Sequence, residues 1–147
     1  MGEADFSLLA QAFQASRQRH GFALTAWVFL PDHWHAILYP RHPLTVSGAM
    51  KAVKLSSMIL INRRRKEIGD LWQGRFFDHA LRTVGEYHKA VEYIHLNPVR
   101  LGLVEKPEEW RWSSALEYAG APTHEQERIS GLAIEQIRLP ADQDAKI

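Results

Sequence analysis

Two histidines stand at alternate positions in an apolar stretch, and imidazole is a common metal ligand. The stretch "LPDHWHAILYP" places His33 and His35 on either side of Trp34. If the stretch is a strand, alternate side chains point to one face, about 7 Å apart along the chain. Two imidazole nitrogens placed in this way can share a metal ion. The same pattern also fits surface or sheet-edge histidines, and the spacing alone leaves both interpretations open.

A second candidate group lies in "VEYIHLNP", Val91 to Pro98. Tyr93 and Asn97 are four residues apart, so on a helix they lie one turn apart on a common face. That face is predicted to point away from the apolar stripe, whose residues recur at spacings of four, three and four: Tyr87, Val91, Ile94 and Pro98. A tyrosine off the core face, with an amide beside it, is available for chemistry. The alternative is an exposed tyrosine and a helix-terminating asparagine.

Taken together, these residues suggest phosphodiester chemistry. A divalent cation held by His33 and His35 can polarise a phosphodiester. The hydroxyl of Tyr93 can attack phosphorus and form a covalent intermediate. The side-chain oxygen of Asn97 can complete the metal shell, since Mg²⁺ and Mn²⁺ accept oxygen ligands. No thiol is required, and the absence of cysteine excludes disulfides, thiolate metal sites and a cysteine nucleophile.

The bulk composition is that of one globular domain. The chain has 147 residues, of which 46% are hydrophobic and 24% charged, enough for a substantial core. No apolar stretch is long enough to span a bilayer and no signal peptide is evident, so no membrane partner is expected. The expected location is therefore cytoplasmic.

A net charge of +1 does not by itself indicate a nucleic-acid partner, but the basic residues are unevenly distributed. The run "NRRRK" spans residues 62–66. We expect a local basic surface that binds the nucleic-acid backbone, formed by Arg63, Arg64, Arg65, Lys66, Arg75, Arg82 and Lys89. The alternative is a solvated helix end, since basic residues favour helix C-termini.

Hydrophobic periodicity, together with the residues that begin and end helices and strands, predicts the elements that position these residues. Residues 5–19 are predicted to form a helix, with Asp5 as N-cap and Gly21 as terminator. Residues 22–30 and 33–39 are predicted strands joined by the turn "LPD", which gives a hairpin. A long helix is predicted from Thr45 to Ile68, closed by Gly69.

The second half of the sequence is also predicted to contain both strand and helix. A strand is expected near Phe76–Leu81. Thr83 and Glu86 fit a capping box that begins a helix, and Pro98 is predicted to end it. A short helix capped by Ser113 or Ser114 should follow. The order α-β-β-α-β-α predicts an α+β sandwich with an antiparallel sheet, in a domain of residues 1–120 with a loosely packed tail at 121–147.

Four segments together resemble the REP-associated tyrosine transposases, a branch of the single-tyrosine HUH, IS200-like transposase superfamily. They are "AWVFLPDHWHAIL", "LWQGRFFDHALRT", "EYIHLNPVRLGLV" and "WRWSSA", which occur between Gly21 and Gly120 in the family's order. The resemblance implies a ferredoxin-like sandwich with a C-terminal helical appendix. It also implies a substrate of hairpin-forming single-stranded DNA, here REP-like palindromes.

The resemblance implies a role for each site residue. His33 and His35 match the metal-binding HUH pair, with Mg²⁺ or Mn²⁺ as the metal. Tyr93 matches the nucleophile that forms a 5′-phosphotyrosine and releases a 3′-hydroxyl, and Asn97 matches the third ligand. Trp72 and Gln73 belong to a family signature, in which Asp78 and His79 are implied to support the site or the DNA path.

The function implied is that of a metal-dependent single-strand DNA endonuclease and strand transferase. One alternative is a DNA-binding module of the same fold that no longer catalyses DNA cleavage. Another is a structural zinc protein that uses His79 or His95 as a third ligand. The family has a strand before its first helix, whereas this sequence begins at that helix with "MGEADFSLLA". We therefore expect a sheet without the family's first strand, and a homodimer formed by strand exchange as one way to fill the gap.

Overall fold

The computed structural model describes residues 1–72 and 79–147. It confirms the α+β class and the antiparallel pairing, with a two-stranded sheet among the residues described. The elements in chain order are α1 (Glu3–His20), β1 (Phe22–Phe29), β2 (Trp34–Pro40), α2 (Val46–Arg65), α3 (Val84–Arg100), a 3₁₀ turn (Pro107–Glu109), α4 (Ala115–Tyr118) and α5 (Thr123–Ser130). The predicted strand near Phe76–Leu81 lies largely outside these ranges, and residues 79–81 are not in a strand.

The hairpin of β1 and β2 is the centre of the structure. Its register pairs Phe22 with Pro40 at one end and Phe29 with Trp34 at the other, with an irregularity between Leu24 and Ala26. All eight residues of β1 are buried, because helices cover both faces of the hairpin. One apolar cluster joins β1 to α1 and α2, and a second joins β1 to α3.

The first cluster fixes the hairpin against α1. Phe13 of α1 is fully buried, with its ring 5.6 Å from Phe29 and 4.9 Å from Trp34, centroid to centroid. Ala36 and Leu38 of β2 pack on the same cluster. Trp34 therefore packs in this core cluster, as expected where alternate residues of a strand point to opposite faces.

Asp5 is not the N-cap of α1, contrary to prediction. The N-cap is Gly2, and the Asp5 carboxylate accepts a bond from its backbone N–H at 3.4 Å. Asp5 is only 2% exposed, and it also accepts bonds from Arg64 at 3.1 Å and Arg65 at 2.6 Å. Burial alone would raise the pKa of this carboxyl, but the bonds from Arg65 and Arg64 hold its pKa below the usual value. Asp5 thus ties the start of α1 to the end of α2.

Two helix ends also differ from prediction. α2 ends at Arg65, and its C-cap is Lys66, which adopts the left-handed conformation with φ 56°, rather than Gly69. α3 begins as predicted with the Thr83–Glu86 capping box, but it runs through Pro98 to Arg100. Proline removes one helical hydrogen bond, and backbone bonds past it, from Leu101 N–H to Asn97 O at 3.0 Å and from Leu103 N–H to Pro98 O at 2.9 Å, close the last turn.

The segment after residue 120 is more ordered in its packing than predicted. Gln126 of α5 and Leu132 beyond it are fully buried. The Gln126 amide donates to Ser113 O at 3.1 Å and to Ser130 Oγ at 2.8 Å, so polar bonds anchor α5 where apolar residues are few. The boundary at residue 120 stays a prediction. In the described part of the chain no helix is long and apolar enough to cross a membrane.

The outer edge of β1 is covered by the loop of residues 112–114. Phe29 N–H donates to Trp112 O at 2.8 Å, and Ser114 N–H donates to Trp27 O at 3.0 Å. Farther along the edge, Glu135 N–H donates to Leu24 O at 2.8 Å. Ser114 is also the N-cap of α4, as one of the two predicted alternatives. The motif "WRWSSA" therefore has a structural role as the neighbour of β1.

Candidate active site

The two histidines lie together on the α3 side of the hairpin. His33 directly precedes β2 and His35 is its second residue. Their ring centroids are 5.0 Å apart, with the ring planes nearly perpendicular. This arrangement confirms that the two imidazoles share a face, which is the requirement for binding one metal ion jointly.

Asp32 determines which nitrogen of His33 is available. The Oδ1 atom of Asp32 lies 2.5 Å from Nδ1 of His33. This hydrogen bond lowers the pKa of the Asp32 carboxyl. Because Nδ1 is occupied, Nε2 of His33 is left to bind a metal, and a carboxylate on the far nitrogen is the usual support for a metal-binding histidine. The sequence prediction missed Asp32, because its place directly before His33 does not determine the rotamer that forms this bond.

His35 is half-buried, and its surroundings favour the neutral form. Burial lowers the pKa of this imidazole, and the nearby His33 lowers it further. A neutral imidazole has a free lone pair, so His35 is in the protonation state that a metal ligand needs.

Tyr93 reaches the histidines from α3. Its ring centroid is 5.7 Å from that of His35, and the side chain is 50% exposed. The helix is held in place by its apolar stripe, in which Tyr87, Val91 and Ile94 pack against β1. The predicted separation of functional face and apolar stripe is confirmed for Tyr93. Strand and helix therefore bring together two groups from distant parts of the sequence.

Asn97 is buried, at 7% exposure, and does not lie on an exposed face as predicted. Its Nδ2 donates to Tyr93 O at 3.3 Å. With Nδ2 used in this way, Oδ1 is the atom left for a ligand. Two imidazole nitrogens and one amide oxygen form a donor set that suits several divalent ions. Within residues 1–72 and 79–147, Asn97 makes no hydrogen bond to either histidine.

The structure does not support the zinc alternative based on a third histidine. No group of three or more His, Asp, Glu or Cys side chains is placed to bind a metal ion in the ranges described. His95 is buried, and its Nε2 lies 2.7 Å from Ser114 Oγ. His79 is exposed and lines the same groove as His33 and His35, without completing a cluster with them.

A groove of about 1460 Å³ opens over the site. Of the cations predicted to bind nucleic acid, only Arg65 lines it among the residues described. Arg64 and Arg65 are paired with Asp5, Arg63, Lys66, Arg82 and Lys89 are exposed, and Arg75 lies outside the described ranges. Four cations outside the predicted DNA-binding set also line the groove, namely Arg41, Lys54, Arg138 and Lys146.

Comparison with known proteins identifies the class to which this fold and site belong. The family model for transposases of the IS200-like type matches residues 4–97, so the chain belongs to the IS200-like transposase family. A solved structure of a REP-associated tyrosine transposase bound to a REP hairpin is 25% identical, with a TM-score of 0.68. The match covers 95% of this chain and 79% of that one.

Curated relatives narrow the resemblance to one branch. The REP-associated tyrosine transposase of Escherichia coli K12 is 29% identical over 110 residues, 74% of this chain and 64% of that protein. A putative REP-associated tyrosine transposase of Haemophilus influenzae is 26% identical over 113 residues, 70% of this chain and 64% of that protein. The chain thus spans less than two thirds of the length of these relatives. The predicted resemblance to REP-associated tyrosine transposases is confirmed.

Proposed function

We propose that this protein nicks and rejoins hairpin-forming single-stranded DNA through a covalent bond to Tyr93. The observation that carries the proposal is the position of Tyr93 beside the histidine pair. Its ring lies 5.7 Å from that of His35, and half of the side chain is accessible. A nucleophile next to a metal-binding pair, on a chain of the IS200-like transposase family, is the arrangement that phosphodiester transfer requires.

The chemical step proceeds without a further reactant. The Tyr93 Oη atom attacks phosphorus, the bond from phosphorus to the 3′-oxygen breaks, and a 5′-phosphotyrosine forms. The phenolic proton is lost through solvent and the leaving 3′-oxygen gains one, so a 3′-hydroxyl is released. Attack by a 3′-hydroxyl on the phosphotyrosine reverses the step and rejoins the strand.

His33 Nε2, His35 and Asn97 Oδ1 would hold Mg²⁺ or Mn²⁺. When bound, such an ion supplies a positive charge that polarises the phosphate. The protein's own groups perform the remaining tasks. Asp32 orients His33 through their 2.5 Å hydrogen bond. The Asn97 amide is fixed by its bond to Tyr93 O, so the third ligand and the nucleophile are positioned by the same helical turn.

The substrate class follows from the groove and from the family. The groove beside the histidines carries Arg41, Lys54 and Arg138 on its walls, and such cations bind a phosphate backbone. The similar solved structure contains a REP hairpin. We infer that this chain recognises palindromic hairpin DNA of the same type.

The test is formation of a covalent adduct. Purified protein with Mn²⁺ or Mg²⁺ is mixed with a hairpin oligonucleotide that carries a 3′-end label, because the 5′-phosphotyrosine retains that side of the strand. The labelled adduct should survive denaturing electrophoresis. Tyr93→Phe should abolish it without loss of binding, whereas Tyr39→Phe, at a more exposed tyrosine of β2, should retain it.

Replacement of His33 and His35 by alanine should also abolish the adduct while part of the hairpin affinity remains. The proposal is wrong if Tyr93→Phe still forms the adduct. Wild-type protein that binds the hairpin but gives no adduct would instead support the alternative, a DNA-binding module without turnover.

A further inference from the structure

A third polar side chain continues the row formed by Tyr93 and Asn97 on α3. Arg100 follows Tyr93 by seven residues, which is close to two full helical turns, so both lie on one face. The central carbon of its guanidinium is 5.0 Å from the centroid of the Tyr93 ring, over the ring face. The nucleophile is therefore directly covered by a positive charge.

This contact depends on the continuation of α3 through Pro98. Had the helix ended at the proline, as the sequence predicted, Arg100 would have had no fixed direction relative to Tyr93. Arg100 is instead the last helical residue. The backbone bond from Leu101 N–H to Asn97 O holds the turn that carries it.

In the part of the chain that the structure describes, the charge of Arg100 has no carboxylate partner. Arg64, Arg65 and Arg128 each lie within 4.0 Å of an acidic side chain, but across residues 1–72 and 79–147 no ion pair includes Arg100. A guanidinium that stacks on a ring through its face keeps its N–H donors free at the edge. Among the residues described, Arg100 therefore presents unneutralised donors beside the Tyr93 ring, where they can bind an anion.

We propose that Arg100 binds a non-bridging oxygen of the scissile phosphate while its face rests on Tyr93. This inference rests on the proposed function, because it assumes that Tyr93 is the nucleophile. As the Tyr93 Oη–phosphorus bond forms and the bond to the 3′-oxygen breaks, the guanidinium stabilises negative charge on the phosphate oxygens. Arg100 would thus be a catalytic residue of the same reaction, absent from the predicted site.

The first experiment compares initial rates of adduct formation. Arg100→Met keeps an unbranched side chain against the ring without charge, and Arg100→Lys keeps the charge without the planar donors. We expect Arg100→Met to slow the step about 10²-fold, as loss of one preorganised donor does, and Arg100→Lys to recover part of it. Arg128→Met on α5, where Arg128 pairs with Glu125, is the matched control and should react at the wild-type rate.

The second experiment distinguishes contact with phosphate from support of the ring. In the non-cleaving Tyr93→Phe background, hairpin affinity is measured with an ordinary scissile phosphate and with an uncharged methylphosphonate there. The methylphosphonate should weaken binding about tenfold when Arg100 is present, the size of one charge-assisted contact. It should have no effect in the Tyr93→Phe, Arg100→Met double variant.

The outcomes separate the two proposals. If wild-type protein forms the adduct and Arg100→Met forms it at the same rate, the role of Arg100 is overturned but the proposed function is not. The same conclusion holds if the methylphosphonate weakens binding equally with and without Arg100. Absence of any adduct from wild-type protein that binds the hairpin overturns the proposed function, and the role of Arg100 with it.

Discussion

At the scale of single residues, the chemistry offered by a histidine depends on its hydrogen-bond partner. His33 and His35 differ in this respect: His33 is bonded to Asp32, whereas burial and its neighbour lower the pKa of His35. The first imidazole is oriented by a carboxylate, and the second is kept neutral by its environment. Both effects prepare a nitrogen lone pair for a metal ion.

Asp32→Ala should therefore weaken metal binding. We expect the dissociation constant for Mn²⁺ to rise about tenfold, the lower end of the effect of removing such a support. Calorimetric titration of the Tyr93→Phe protein measures it without DNA cleavage. Asp144→Ala, at an exposed aspartate near the C-terminus, is the control and should leave the constant unchanged. Equal affinities in wild type and Asp32→Ala would show that the carboxylate does not support the ligand.

Residue types and spacing predicted that His33 and His35 share a face and that Tyr93 lies off the apolar stripe, because alternation on a strand and periodicity on a helix are local properties. They did not predict Asp32 or Arg100. The role of Asp32 depends on a rotamer, and that of Arg100 depends on whether a helix passes through a proline. Neither can be read from spacing.

At the scale of secondary-structure elements, a buried polar link joins α3 to the covering loop of β1. The His95 Nε2 atom lies 2.7 Å from Ser114 Oγ, and Ser114 Oγ accepts a bond from Trp27 N–H at 3.0 Å. The Tyr118 ring lies 4.7 Å from the His95 ring. Burial lowers the pKa of His95 to about 4. The link that positions α3 is thus sensitive to acid.

We expect His95 to make the protein less stable as pH falls from 6.5 to about 4. In this interval the unfolded state binds a proton that the folded state does not, so the free energy of unfolding decreases, by about 3 kcal/mol in total. Urea unfolding at pH 7 and pH 4 measures the decrease. His95→Gln should reduce the decrease and His124→Gln, at an exposed histidine of α5, should not. An equal decrease in wild type and His95→Gln would contradict the assignment.

The start of α3 was predicted correctly, but its end was not. The Thr83–Glu86 capping box is a local motif, and it begins α3 as expected. An end of α3 at Pro98 was predicted because an interior proline costs a helix about 3 kcal/mol. The prediction was wrong because packing can offset this cost. Pro98 is itself buried, and burial is a property of the whole fold that local sequence does not contain.

At the scale of the whole molecule, the basic run at the end of α2 divides into two cations that pair with a carboxylate and two that are exposed. Arg64 and Arg65 donate hydrogen bonds to the buried Asp5, which precedes them in the sequence by 59 and 60 residues. Arg63 and Lys66 are exposed. The sequence could not distinguish the paired cations from the exposed ones, because their partner, Asp5, lies in the first turn of α1.

The two groups of cations should respond differently to substitution. Arg63→Ala should weaken hairpin binding and reduce the slope of log affinity against log salt by about 1, since one phosphate contact is lost. Its melting temperature should not change. Arg65→Ala should lower the melting temperature, because a buried carboxylate loses a partner at a cost of about 1–3 kcal/mol. An unchanged salt slope in Arg63→Ala would remove this residue from the DNA-binding surface.

The coverage of β1 by residues 112–114 and by Glu135 also bears on aggregation. An apolar strand with free N–H and C=O groups is a template for pairing with another chain. In this protein the strand whose residues are all buried has its outer edge occupied by backbone bonds to Trp112, Ser114 and Glu135. Changes that detach this cover would leave the edge of an apolar strand open to pairing with a second chain. Substitutions in residues 112–114 are therefore expected to lower the solubility of the protein.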